Sequence, residues 1–177
     1  MCIRDSAFFA ILVTSQAGVS AALVPLSFEE LTRGTRYIVT GRVVKMESYV
    51  APYHGLGDWV FTDVTVRIDR AFKGNSSEAA LKSGEVTFQV VGGTIGGVEC
   101  ICPEAASYAL NERVIVFLRP VGTRLWNTGW QQGKYRLSAD GASVLGGGRL
   151  PIGRRTPMRT IEDQIRRFEP QTREGQR

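Results

Sequence analysis

The chain has 177 residues, 43% of them hydrophobic and 22% charged, which allows one domain with a buried core and excludes disorder throughout. Its formal net charge is +5, but residues 22–148 hold 13 Lys and Arg against 12 Asp and Glu. Residues 149–177 hold eight Arg against four acids, so the basic character belongs to the C-terminal end rather than to a uniformly basic, nucleic-acid-binding body.

The N-terminal residues have the pattern of a secretory signal peptide. A continuous apolar run, Ala7 to Val13, is followed by small and polar residues that end in Val19-Ser20-Ala21, an A-x-A-like cleavage site. We therefore predict that residues 1–21 are removed and that the protein works outside the cytoplasm, in the periplasm or secreted. No cysteine stands close behind the run, so no stable membrane anchor is expected. A buried N-terminal helix is the alternative.

The first six residues, MCIRDS, do not fit the positively charged start of such a leader, because Asp5 cancels the charge of Arg4. They resemble read-through from a sequencing adaptor. On that interpretation residues 1–6 are an artefact, and Cys2 does not belong to the natural protein.

The body, residues 22–146, is predicted to be mainly β. It opens with a short helix, for which Ser27 and Glu30 have the spacing of a capping box and Gly34 supplies the stop. A long strand follows from Arg36 to Val50, with Gly41 at a bulge or bend. The next strand, DWVFTDVTVRIDRAF, alternates between Val64, Val66 and Ile68 on one face and Thr65, Arg67 and Asp69 on the other.

The remaining strands are shorter. They are predicted at Glu85–Val91 before Gly92-Gly93, at Glu112–Leu118 with a stop at Pro120, and at RLWNTGW, GKYRL and SVL, the last two joined by an Asp140-Gly141 turn. The Glu112–Leu118 strand is apolar on both faces, which indicates a central position.

The C-terminal end is predicted to add one helix. A Gly/Arg linker covers 147–155, an amphipathic helix covers 156–168, and a polar tail, 169–177, is expected to be disordered. Thr156 can cap this helix, with Pro157 at its first position. One apolar face is formed by Met158, Ile161, Ile165 and Phe168.

Short strands, a bent first strand and one docked helix predict a small antiparallel OB-like Greek-key barrel with a short N-terminal helix and a C-terminal amphipathic helix. A β-sandwich is the alternative. The stretches RYIVTGRVV, FTDVTVRIDRAFKG, VTFQVVGG, NERVIVFLRP and GKYRL, in that order, resemble a group of exported bacterial proteins. Those are similar in build to the OB-like domain of tissue inhibitors of metalloproteinases and netrin modules. The resemblance covers about Leu26 to Leu137.

This resemblance implies an architecture and an extracytoplasmic location, not an activity. The inhibitor family reaches a protease zinc with a Cys-x-Cys at the mature N-terminus. Here Cys100 and Cys102 are internal, so that mechanism does not carry over.

Cys100 and Cys102 are a possible disulfide, because an exported protein tends to oxidise two neighbouring thiols. Residues two apart in a strand lie about 6.6–6.8 Å apart, at the edge of the disulfide range, so the bridge needs a local turn, which Pro103 favours. An intermolecular bridge and two free thiols are the alternatives. A structural zinc site wants four ligands, and two Cys with a distant His54 do not supply them, so neither a metal nor another cofactor is expected.

The loop YVAPYHGLGDWVF is rich in aromatic residues and holds the chain's single histidine, His54. The functional interpretation is a ligand-binding lip at a barrel end, formed by Tyr53, His54, Trp59, Trp126 and Trp130, because OB-like folds bind ligands on such loops. The other interpretation, that these rings plug the ends of the barrel, is the favoured one, because aromatic side chains more often serve cores than sites.

No catalytic set is recognisable. There is no G-x-S-x-G elbow for a serine nucleophile, and Asp58 and Asp63 near an aromatic loop are a common coincidence. We therefore expect a non-catalytic exported domain that binds a protein, peptide or glycan through barrel-end loops. An OB-type nucleic-acid binder is the alternative, although export and the near-neutral body make nucleic acid an unfavoured partner. A secreted hydrolase or thiol enzyme is a third, weaker reading. The oligomeric state is not predicted.

Expression of the full chain in a bacterium should yield an envelope or secreted protein whose N-terminus is Ala22, because the leader is cleaved after Ala21. N-terminal sequencing of the fractionated protein measures this. The variant Val19→Asp, which puts a charge three residues before the cleavage point, should accumulate with its leader attached. A wild-type chain that stays in the cytoplasm at full length would contradict the prediction.

Overall fold

The computed structural model describes residues 23–53, 55–147 and 155–169. Its elements, in chain order, are α1 (Phe28–Arg33), β1 (Tyr37–Pro52), β2 (Asp58–Lys73), β3 (Glu85–Val91), β4 (Gly93–Ile95), β5 (Val98–Cys100), β6 (Arg113–Val121), β7 (Arg124–Asn127), a 3₁₀ turn (Trp130–Gly133), β8 (Lys134–Leu137), β9 (Ser143–Gly147), β10 (Thr156–Pro157) and α2 (Met158–Phe168). The predicted leader, His54, most of the linker and all but the first residue of the tail lie outside these ranges. Neither α-helix within them is long and apolar enough to cross a membrane.

Five strands close into a ring in the order β1-β2-β3-β7-β6, because β6 pairs back onto β1. These pairings are antiparallel except between β3 and β7, which meet in parallel through Gln89 and Trp126. The prediction of a mainly β, OB-like Greek-key barrel with a helix near each end is confirmed. Beyond the ring, β8, β9 and β10 continue the sheet outward from β6.

β1 closes the ring because it bends and pairs on both sides. Its first part, Tyr37 to Arg42, pairs with β6, while β2 runs along almost its whole length. Its register with β2 shifts between Thr40 and Gly41. A Cβ at Gly41 would lie 2.1 Å from the carbonyl oxygen of Arg67, so the two backbones approach where only glycine fits. The predicted bulge at Gly41 is therefore present.

The barrel has a core inside the ring and a second core outside it. The inner core contains Tyr37, Val39, Val43, Val64, Val66, Leu81, Val86, Phe88, Val90, Val114, Val116 and Leu118. The outer core contains Leu31, Ile38, Ile115, Phe117, Tyr135, Leu137, Val144, Ile161 and Ile165, so it includes residues of both helices. β6 contributes alternate residues to each core, which explains why its sequence is apolar on both faces.

The N-terminal helix begins as predicted, whereas the C-terminal helix does not. The Ser27 hydroxyl accepts a hydrogen bond from the backbone N–H of Glu30 at 3.1 Å, and the Glu30 carboxylate accepts the Ser27 N–H at 2.7 Å. α2 instead begins at Met158, because Thr156 and Pro157 pair with β9 as a short strand. The N-cap position is held by Pro157, not Thr156, and no side chain makes a capping hydrogen bond. Its buried face, Ile161 and Ile165, is the predicted one.

Two strand predictions near the barrel end were wrong. Pro120 does not end its strand: it lies opposite Leu125, and β6 continues to Val121. The stretch RLWNTGW is not one strand, since β7 ends at Asn127 and the chain turns into a 3₁₀ turn at Trp130. A small hairpin of β4 and β5, carried by the left-handed Gly96-Gly97 turn, was not predicted.

Gly41→Ala should lower the free energy of unfolding by about 3 kcal/mol, because the added methyl group overlaps the Arg67 carbonyl at the bend that closes the ring. Urea unfolding measures it. Gly55→Ala is the control: its φ is +76° but nothing lies within 4 Å of the added Cβ, so it should cost only about 1 kcal/mol. If the two variants lowered the free energy of unfolding equally, the close approach of the backbones at Gly41 would not be what maintains the bend.

Candidate functional site

A row of four side chains crosses the outer face of the ring. Asp63 of β2 lies opposite Gln89 of β3, Gln89 is paired with Trp126 of β7, and Trp126 lies opposite Arg119 of β6. Paired residues of neighbouring strands share a face of the sheet. Because Val64 and Phe88, the next residues along β2 and β3, point into the inner core, this row points outward.

The aromatic residues predicted from the sequence gather beside this row, around Phe61. The centroid of the Phe61 ring lies 5.7 Å from that of Tyr53, 6.0 Å from that of Trp126 and 6.2 Å from that of Tyr49. Trp59 extends the cluster by packing on Tyr53 at 4.9 Å. These rings therefore cover the outer face of the barrel instead of plugging its interior. Phe61, at the centre and 2% exposed, was not among the predicted site residues.

A pocket of about 120 Å³ opens at the edge of this aromatic cluster, between the β1–β2 loop and the end of β6. Its walls include three of the five predicted residues, Tyr53, Trp126 and Trp130. Trp59 reaches it only through Tyr53. His54 lies outside the described ranges, so its membership stays a prediction. The polar residues of the lining are Tyr53, Gln89, Arg119 and Asn127.

A hydrogen-bonded network fixes the face next to the pocket. The Tyr49 hydroxyl donates to Asp63 Oδ1 at 3.0 Å and accepts from Gln89 Nε2 at 2.5 Å. Arg124 donates to both oxygens of Asp63, at 3.1 and 2.9 Å. Burial raises the pKa of Tyr49, and its hydrogen bond to Asp63 raises that pKa further. This network holds the Gln89 amide and the Tyr49 ring in fixed orientations.

The turn that carries Trp130 has an unusual backbone. Gly129 and Trp130 both have positive φ, +67° and +59°, although a bulky residue seldom adopts this conformation. The N-terminal segment packs against this turn: a Cβ at Gly129 would lie 2.7 Å from Leu26 Cδ1. Gln132 accepts from the Leu26 N–H at 2.8 Å and donates to the Val24 carbonyl at 3.1 Å. The strain at Trp130 is thus maintained by tertiary contacts.

Cys100 and Cys102 line a second, wider pocket of about 440 Å³ on the other side of the segment that contains Ala105 and Ala106. Both are free thiols in this structure, Cys100 exposed and Cys102 partly buried. The Cys102 thiol lies 3.6 Å from Glu104 Oε2. The Cys100–Cys102 disulfide stays a prediction. Within the described ranges no three His, Cys, Asp or Glu side chains cluster as metal ligands would.

Lys134 anchors the segment between the two pockets. Its ammonium donates to the Glu112 oxygens at 2.9 and 2.7 Å and to the Ser107 carbonyl, and it lies 4.4 Å from the centroid of the Tyr108 ring. Burial lowers the pKa of Lys134, and the hydrogen bond that its ammonium donates to Glu112 partly opposes this shift. All three N–H groups have acceptors, so this lysine is a structural clamp. Sequence reasoning missed it because 22 residues separate Lys134 from Glu112.

Comparison of the chain with known protein families and with curated proteins finds no match. The fold and this outer face together define the class of protein: an OB-like barrel with an aromatic outer surface and a pocket beside its β1–β2 loop.

Lys134→Met should lower the free energy of unfolding by about 3 kcal/mol, because it leaves Glu112 charged and only 14% exposed without its partner. Thermal and urea unfolding measure this. Adding Glu112→Gln should recover part of the loss, since no buried charge then remains. The matched control is Lys45→Met. Lys45 is paired with Glu47, and the two side chains are 58% and 63% exposed, so this substitution should change the free energy of unfolding by less than about 0.5 kcal/mol. If Lys134→Met lowered the free energy of unfolding no more than Lys45→Met does, Lys134 would not be a structural clamp.

Proposed function

We propose that this protein is an exported, non-catalytic binding module that takes a peptide or protein segment on the aromatic outer face of its barrel and inserts one side chain into the pocket. The observation that carries this proposal is the convergence of Tyr53, which follows β1, with Trp126 and Trp130, at and just after β7, on one concave site. OB-like barrels bind their ligands beside the loops that follow their first strand and precede their last, and this pocket lies between the β1–β2 loop and the end of β6.

The arrangement of the rings favours an inserted side chain over a flat ligand. Phe61 meets Trp126 nearly edge to face, at 82°, and Tyr53 meets Phe61 at 56° and Trp59 at 41°. Rings set at such angles do not present one continuous flat face, and two of them, Tyr53 and Trp126, line the pocket. A sugar or a nucleic-acid base would need an open, flat aromatic face on which to stack.

The size of the pocket supports the same ligand class. The recess of about 120 Å³ is of the same order as an enclosed apolar cavity of about 150 Å³ that binds benzene, and because it is open to solvent on one side an aromatic side chain can enter it without being wholly enclosed. Such anchor pockets, filled by a single side chain and surrounded by weaker contacts, supply most of the free energy of protein–protein binding.

The charges around the pocket argue against the nucleic-acid alternative. Arg124 is already paired with Asp63, and of the residues that line the pocket Arg119 is the cationic one. Binding to a phosphate backbone requires several cations that release counterions together. The polar lining consists of two amides, a phenol and a guanidinium, groups that can form hydrogen bonds with a bound peptide.

The proposal is tested by selecting binders from a random peptide library displayed on phage, against the purified exported protein. Selected peptides should share one aromatic or branched apolar residue, which fills the pocket. For a synthetic copy of a selected peptide, Trp130→Ala should weaken binding at least about tenfold without unfolding the protein, because this ring lines the pocket and is 36% exposed. Isothermal titration calorimetry measures the affinity.

Leu110→Ala is the matched control, since Leu110 is an exposed apolar residue, 60% exposed, that does not line the pocket. It should leave the affinity unchanged. Peptides that bind Trp130→Ala as tightly as wild type would place the site elsewhere. Binding of the oligonucleotide (dT)₂₀ with an affinity that falls steeply with salt would support the nucleic-acid binder instead.

A further inference from the structure

Asn127 holds a buried amide oxygen for which this fold provides no hydrogen bond. The side chain lies at the end of β7, is 9% exposed and lines the pocket. Its Oδ1 is one of two buried side-chain polar atoms without a partner in the described ranges; the other, Arg113 Nε, does not belong to the pocket. A buried acceptor left without a donor costs free energy, so an unpaired one beside a ligand pocket calls for an explanation.

The orientation of this amide is set by its neighbours. Asn127 Nδ2 donates to the Tyr108 hydroxyl at 2.6 Å and makes a longer contact of 3.5 Å with the Trp130 carbonyl. In the reversed orientation the Tyr108 hydroxyl could still bond by donating to Oδ1, but Oδ1 would then lie 3.5 Å from the Trp130 carbonyl, and two acceptors repel each other. The nitrogen is therefore engaged, and the oxygen is what remains for a ligand.

The residue next to this amide is the strained one. Trp130, at φ +59°, holds an aromatic ring at the pocket and contacts the Asn127 amide through its own carbonyl. Strained backbone of this kind concentrates at ligand clamps, where binding relieves or uses the strain. Three features thus meet at one end of the pocket: an unpaired acceptor, a strained turn and a partly exposed ring.

We propose that Asn127 is the specificity-determining acceptor of the pocket: its Oδ1 takes a hydrogen bond from an N–H or O–H at the tip of the inserted side chain, which Trp130 admits by shifting aside. This inference rests on the proposed function and narrows it. The favoured anchors are the indole of a tryptophan and the phenol of a tyrosine, which combine an apolar ring with a donor. Phenylalanine and leucine fill the space but leave Oδ1 unpaired.

Two small probes of nearly equal shape separate this inference from simple pocket filling. Indole carries an N–H donor, and benzofuran replaces that group with oxygen. Titrated into the ¹⁵N-labelled exported protein, indole should bind at least about tenfold more tightly than benzofuran, because only indole satisfies the buried oxygen. Indole should also shift the NMR signals of the Asn127 side-chain amide and the Trp130 indole N–H.

Two substitutions test whether Asn127 is the residue that distinguishes indole from benzofuran. Asn127→Leu removes the acceptor and should bring the two affinities within about twofold of each other, whereas Asn127→Asp keeps an acceptor and should retain the preference for indole. The ratio of the two affinities is taken within each protein, so a general loss of stability cancels. If Asn127→Leu does not fold, the ratio of indole to benzofuran affinity in the wild type and in Asn127→Asp still tests whether the pocket prefers a donor.

The outcomes distinguish the two proposals. Equal binding of indole and benzofuran at the pocket overturns the role of Asn127 and leaves the pocket as a binding site. Binding of neither probe at millimolar concentration overturns the pocket as an anchor site and this inference with it. A preference for indole that survives Asn127→Leu assigns the acceptor to another residue and overturns the inference.

Discussion

Closure of the ring between β3 and β7 is the constraint on which the rest of the structure depends. The two strands run parallel and are paired through one pair of residues, Gln89 and Trp126, whereas every other joint of the ring has at least four pairs. That joint sets Asp63, Gln89, Trp126 and Arg119 in one outward row and brings the β6 end of the barrel beside the β1–β2 loop. The pocket lies beside this joint, where the curved sheet is least continuous.

The segment between β5 and β6 connects the inner core to this outer site. Tyr108 packs on the inner core against Phe88, and its hydroxyl accepts from Asn127 in the pocket lining. The partly buried Lys134 packs its ammonium on the Tyr108 ring and is paired with Glu112. A partly buried cation, a ring packed on the core and a pocket amide therefore form one chain of contacts.

The sequence predicted the barrel, its helices and most strand positions, because alternation, capping and glycine punctuation are local signals. It also predicted that Tyr53, Trp126 and Trp130 belong together. It missed Phe61 as the centre of the aromatic cluster and Asn127 as an unpaired acceptor, because both roles arise only when β2, β3 and β7 are side by side. The strand prediction through Trp130 was wrong for a related reason. Its left-handed backbone belongs to a turn whose neighbours Gly129 and Gln132 contact Leu26, which is distant in sequence, and no local preference indicates it.

The packing of Val24 and Leu26 on the Trp130 turn has a consequence for where the protein can be tagged. Both residues are bonded to Gln132, so the start of the described chain forms the outer support of this turn. If the chain is cleaved after Ala21, as predicted, an affinity tag fused at the front of the mature protein would be joined only a few residues from that support. A fusion there should therefore be avoided when binding at the pocket is measured.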